Sequence, residues 1–174
     1  MQSIGHHDNP LGMNCTDGLI AFTDLDGTLL DHSTYRWEPA RPALDALRLR
    51  GDGVVLSSSK TAPEIAVLRS ELGLEQWPAI VENGAGLLPE KALHLGASPV
   101  QYKEIISSIQ SLPHKLRNLF QGFGQCTAEQ VAKMTGLSSA AAVLAKERAF
   151  SEPGLWEGTD VQKREFLDLS LIHI

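Results

Sequence analysis

Three observations predict an α/β fold with a parallel sheet. Leu19–Thr23, Gly53–Ser57 and Ala79–Val81 are short apolar, strand-like runs. Helical patterns separate them, and each run stops at a polar, glycine- or serine-bearing cluster. Strand–helix–strand repeats with short connections pair in parallel and are covered by helices. Ligands of such sheets sit beyond the carboxyl ends of the strands. The clusters Asp24–Thr28, Ser57–Thr61 and Glu82–Gly84 therefore converge at one edge of the sheet.

Taken in order, Leu19–Thr23 reads as a buried strand ending in an Asp-Leu-Asp-Gly-Thr turn. Pro39–Arg50 carries Ala43, Leu44, Leu47 and Leu49 near helical spacing, with Gly51 as its C-cap. Gly53–Ser57 is the second buried strand. Thr61-Ala62-Pro63-Glu64 is a capping box with proline in the first turn, and its helix shows Ile65, Leu68 and Leu72 on one face before Gly73 stops it. Ala79–Val81 is the third strand, and residues 84–95 read as a hairpin-like excursion.

The second half changes character. Val100–Leu112 is an amphipathic helix with Ile105, Ile106 and Ile109 on one face. Thr127–Gln130 is another capping box, for a helix ending at Gly136. Ser138 caps an alanine-rich helix through Lys146, residues 149–158 read as extended, and Asp160–Leu167 as helical. Lacking strand-end polar clusters, this half is expected to be a separate lid or cap. The expected organisation is a loose polar tail over 1–17, a core over 18–96, a boundary near Gly96–Pro99 and a cap over 97–168. His6 and His7 are expected to be solvated tail residues.

The chain has 174 residues, a formal net charge of −6 and an isoelectric point near 5.5. An acidic balance disfavours a general nucleic-acid binder, which needs excess Lys and Arg. No apolar run approaches the ~20 residues of a membrane span, so no membrane partner is expected. Cys15 and Cys126 lie far apart in no metal-like spacing, and no signal-peptide pattern opens the chain. A reducing cytoplasm is the plain reading.

Asp24 and Asp26 flank one residue just past a strand, so in extended backbone they point to one side. Two such anions suit a hard cation between them, and Mg²⁺ is the natural one beside a phosphate. Gly27 permits a tight turn with inward-facing amides, and Thr28 adds a hydroxyl, a combination that suits an anion. One carboxylate can attack phosphorus while its neighbour works as general acid and base. An ordinary Asp-Gly turn and the Asp-x-Asp of glycosyltransferases are the rival readings, but neither requires the continuation Gly-Thr-Leu-Leu-Asp31.

Asp24-Leu25-Asp26-Gly27-Thr28-Leu29-Leu30-Asp31 resembles the first motif of the haloacid-dehalogenase superfamily of phosphatases. The resemblance implies a Rossmann-like parallel core with an inserted α+β cap. It implies that Asp24 is the nucleophile, that Asp26 is the general acid/base, and that Mg²⁺ is held by the Asp24 carboxylate and the Asp26 backbone carbonyl. Ser58 matches the second motif, a hydroxyl that bonds the phosphoryl group; a helix-entry serine is the alternative. The strings Val54–Thr61, Val81–Ala85 and Ala149–Trp156 resemble the mannosyl-3-phosphoglycerate phosphatase family. That implies a small phosphorylated sugar-glycerate substrate, with another sugar phosphate such as glucosyl-3-phosphoglycerate as the alternative.

Lys60 and Asn83 then look like substrate contacts, a cation for carboxylate or phosphate and an amide for sugar hydroxyls. Glu82 is either a substrate contact or a hydrogen-bond partner of a neighbouring loop. Arg148, Ser151 and Glu152 either reach down from the cap to the substrate or line an exposed strand edge. Trp156 reads as cap core, and His32, His94 and His114 as surface residues. The superfamily's third-motif lysine and fourth-motif acidic cluster follow the cap, and neither is visible after Gly158; Lys163 sits in an expected cap helix. The chain is therefore expected to be truncated at its C-terminus and inactive alone, with a non-catalytic ligand- or partner-binding module as the reading of a different class. Leu169–Ile174 matches one frame of a transposon adapter used for sequencing libraries, so residues 169–174 are expected to be a non-native tail, with a natural apolar strand as the alternative.

Overall fold

In the computed structural model, which describes residues 18–96 and 100–171, the three apolar runs lie side by side. β1 (Ile20–Thr23), β2 (Gly53–Ser57) and β3 (Ala79–Val81) are parallel in that order. The expected excursion returns as β4 (Gly86–Leu88), antiparallel to β3 with Val81 opposite Gly86. β2 is buried as its apolar run predicts. β1 departs from expectation: it is the sheet edge among the described residues, and Phe22 is 61% exposed. A strand with a neighbour on one side only leaves part of its apolar surface uncovered.

α1 (Arg41–Arg50) begins two residues later than Pro39. Pro42 has no N–H for the Glu38 carbonyl, which instead takes the Arg41 N–H in a 3₁₀ turn over Glu38–Ala40. α2 (Ala62–Leu72) opens with the predicted capping box: the Thr61 hydroxyl accepts from the Glu64 amide at 3.3 Å and the Glu64 carboxylate accepts from the Thr61 amide at 2.8 Å. Arg69, 1% exposed on α2, donates to the carbonyls of Trp77, Pro89 and Ala92 and so ties the loops around β3 and β4 to the helix.

The second half contains α3 (Val100–Ser111), α4 (His114–Arg117), β5 (Phe120–Gly122), α5 (Ala128–Thr135), α6 (Ser139–Ala145), β6 (Gly154–Trp156) and α7 (Asp160–Leu171). β5 and β6 form an antiparallel pair with Phe120 opposite Trp156. Of the predicted extended stretch only Gly154–Trp156 is strand. α7 continues past its expected end at Leu167, because Leu169 shares an apolar cluster with Phe166 and Trp156. Residues 1–17 (with His6, His7 and Cys15), 97–99 in the expected boundary and 172–174 of the expected tail lie outside the described residues.

Among the described residues, most buried apolar side chains sort into three clusters. One draws on Leu25, Leu56, Ile65, Val81, Leu88 and other residues between positions 20 and 95. The second joins Ile109, Leu112, Leu116 and Phe166, with Trp156 against Phe166 at 5.1 Å, and the third joins Phe123, Cys126, Val131 and Ala142. Cys126 is a buried free thiol.

Thr61 is fully buried, and its hydroxyl lies 2.9 Å from the Leu144 carbonyl as well as capping α2. Thr61→Ala is expected to lower unfolding free energy by about 1–2 kcal/mol, read from urea denaturation of both proteins.

Candidate active site

The site starts where β1 ends. Leu25 is fully buried, while Asp24 and Asp26 on either side of it are exposed. The Leu25 amide donates to Asp24 Oδ1 at 2.7 Å. The chain then closes tightly, with the Leu30 amide donating to the Leu25 carbonyl at 2.8 Å. Gly27 has φ +77°, which a side-chain-bearing residue would adopt only with strain. The expected anion cradle is corrected here. The Gly27 amide donates to the Leu30 carbonyl at 3.0 Å and the Thr28 amide to the Leu25 carbonyl at 3.1 Å, because the turn itself consumes both donors. At the far end, Asp31 accepts from the Thr34 hydroxyl and from the Thr34 and Ser33 amides, which hold its carboxyl below the usual carboxylate range.

Lys60 crosses from the end of β2, with Nζ 3.3 and 3.5 Å from the two Asp26 oxygens. Ser58 is 5% exposed, and its hydroxyl oxygen accepts from the Lys60 amide at 3.2 Å. Thr61, not Ser58, caps α2. The turn after β3 carries three consecutive left-handed residues, Glu82, Asn83 and Gly84, at φ 49°, 59° and 94°. The two non-glycine residues cost about 1 kcal/mol each, so the surroundings must hold them there. They do: the Glu82 amide donates to the Lys60 carbonyl at 3.0 Å and the Asn83 amide to the Ser58 carbonyl at 2.9 Å. Asn83 is exposed, with its side chain free of hydrogen bonds to the described residues.

Glu82 takes the second of its two expected roles. It is 2% exposed, and its oxygens accept from the Ala149 amide at 2.7 Å, the Phe150 amide at 3.0 Å and the Ser151 hydroxyl at 2.6 Å. Ser151 is thereby occupied as well. Arg148 does reach the strand-end edge, donating to the Ser59 carbonyl at 2.7 Å. Glu152 turns the other way. It accepts from the Tyr102 hydroxyl and the Gly124 amide, both at 2.7 Å, within the second half. A Cβ at Gly122 would collide with the Glu152 carboxylate and one at Gly124 with the Tyr102 hydroxyl, so the glycines around Phe123 make room for the Tyr102–Glu152 pair. The sequence offers Tyr102 only as one member of an amphipathic helix, so its role was not readable there.

The Asp24 carboxylate and the Asp26 carbonyl, which accepts no hydrogen bond from the described residues, are hard oxygen donors of the kind Mg²⁺ takes. Among the described residues no group of three or more His, Cys, Asp or Glu side chains could hold a metal. These two donors fit the cation as part of a shell whose remaining ligands would be water, substrate oxygens or other residues.

A family model for haloacid dehalogenase-like hydrolases matches residues 21–122. A glucosyl-3-phosphoglycerate/mannosyl-3-phosphoglycerate phosphatase from Persephonella marina is 36% identical over 155 residues, covering 80% of this chain and 55% of that protein. Among solved structures, a haloalkanoate-superfamily phosphatase from Bacteroides thetaiotaomicron aligns at 16% identity and a TM-score of 0.48, covering 94% of this chain and 56% of its own. A haloacid dehalogenase-like hydrolase from B. subtilis aligns at 20% identity and a TM-score of 0.44, covering 76% and 53%. The chain spans about half the length of each of these proteins.

Burial and the neighbouring Glu152 carboxylate push the Tyr102 phenol well above its ordinary value. The folded state therefore holds that proton more tightly than the unfolded chain. The associated stability is present below about pH 10 and is lost as pH rises further. In alkaline denaturation series the wild type should lose stability above pH 10 more steeply than Tyr102→Phe; equal slopes would contradict the assignment.

Proposed function

The chain belongs to the haloacid dehalogenase-like hydrolase family, and from that premise we propose that its strand-end cluster serves a Mg²⁺-dependent phosphatase acting on mannosyl-3-phosphoglycerate or glucosyl-3-phosphoglycerate. The observation that carries this reading is the Asp24–Asp26 pair beyond β1 with the Lys60 ammonium against Asp26. The printed activity of the Persephonella relative supports the substrate class and leaves both sugars open. The segment over 97–168 is read as the cap of this enzyme. A small phosphorylated sugar-glycerate substrate as the small-molecule partner and a cytoplasmic location complete the proposal; no helix among the described residues is long and apolar enough to cross a membrane.

In the first step the Asp24 carboxylate attacks phosphorus and the P–O bond to glycerate breaks. Asp26 gives a proton to the departing oxygen. Water then attacks the phosphorus of the aspartyl phosphate while Asp26 takes its proton, which releases inorganic phosphate, frees the Asp24 carboxylate and restores the protonated Asp26. The Ser58 hydroxyl donates to a phosphoryl oxygen, and the Thr28 hydroxyl adds a second donor at the turn. Lys60 sits beside Asp26 and, with Asn83 and Arg148, is placed to meet the part of the substrate beyond the phosphate. Bound Mg²⁺ would offset negative charge shared by the phosphate and the Asp24 carboxylate.

Phosphate release by the intact enzyme is expected with one or both glycerate substrates, to stop when Mg²⁺ is chelated, and to resume when it is restored. Asp24→Asn should lower turnover by at least about 10³-fold. Turnover within tenfold of wild type in that variant would remove Asp24 as nucleophile. Comparable rates on unrelated sugar phosphates would reject the substrate class.

A further inference from the structure

Two carboxylates are buried among the described residues, Asp52 and Glu82. Asp52 meets Leu19 and Arg50 of its own half of the chain. Glu82 is different, since all three donors to its carboxylate come from the second half. Its backbone meanwhile is bonded to Lys60 in the first half.

These bonds close a ring. Lys60 is joined to Glu82 through backbone, Glu82 to Ser151 through side chains at 2.6 Å, Ser151 to Arg148 at 3.4 Å, and Arg148 to the Ser59 carbonyl at 2.7 Å. The Arg148 Nε is fixed independently on the Ala145 carbonyl at 3.0 Å. Arg148 Nη2 makes no hydrogen bond to the described residues. A guanidinium held through two of its nitrogens with the third spare is preorganised to meet an anion.

We propose that Glu82 is a positioning residue whose carboxylate latches residues 149–151 onto the strand-end edge and so seats Arg148 beside the Ser58–Lys60 loop. The latch stands on its hydrogen bonds. Its consequence for turnover rests on the phosphatase reading, in which the spare Arg148 nitrogen meets the glycerate carboxylate. Glu82→Gln keeps the side-chain shape but turns an NH₂ group toward N–H or O–H donors, so at least one bond of the latch must break.

Amide hydrogen exchange, resolved by residue, tests the latch on the 174-residue chain without any activity. In Glu82→Gln, protection of the Ala149 and Phe150 amides should fall about tenfold or more while the β2 amides keep theirs. Unchanged protection at 149 and 150 overturns the proposal. Should Glu82→Gln lose protection everywhere, Ser151→Ala decides: a fall confined to 149–150 supports the latch, and no fall overturns it. In the intact enzyme, Glu82→Gln should raise the KM for the glycerate substrate about tenfold with kcat changed less than about threefold. A raised KM with wild-type protection at 149–150 would make Glu82 a direct substrate contact and end the latch. Absence of phosphate release from wild type would sink the phosphatase reading, with the exchange result still judging the latch.

Discussion

A carboxylate out of water must be given donors, and Glu82 finds its donors 67 to 69 positions downstream. An unpaired ion at that depth would cost several kcal/mol. Folding therefore requires residues 149–151 to return to the end of β3 and present two amides and a hydroxyl. Other contacts between the halves fall on the same seam: Thr61 faces the Leu144 carbonyl and Arg148 reaches the Ser59 carbonyl. The seam runs beside the strand ends, so the bonds that join the halves also shape the rim of the site.

The charges at that edge follow from chain geometry. β1 delivers two carboxylates around one buried leucine, and β2 delivers one ammonium. Among the described residues Asp24 meets no cation. The turn after β1 uses the Gly27 and Thr28 amides on itself, so it trades anion-binding donors for a rigid frame under Asp24 and Asp26.

Much of the chain could be read directly where its signals are local. A capping box needs two residues three apart, and Thr61–Glu64 and Thr127–Gln130 both form as written. Strand ends marked by polar clusters lie together because parallel pairing leaves no other arrangement. The pairing of Phe120–Gly122 with Gly154–Trp156 could not be read, since three residues show no period and the partner is remote. The openness of β1 was equally hidden: composition reports apolarity, while exposure depends on which neighbours are present.

The amino-acid sequence by itself determined the sheet's parallel strands, the helix boundaries set by caps, and the acidic pair beyond β1. Each depends on residues within a few positions of one another, where backbone geometry leaves little freedom. Only the tertiary structure decided which polar side chains are available. Lys60 and Arg148 meet the site edge, while Glu82, Ser151 and Glu152, equally plausible by residue type, are consumed by the fold. A hydrogen-bonding group serves whichever partner the chain brings within about 3 Å, and for distant partners that distance is set by packing rather than by spacing in the sequence.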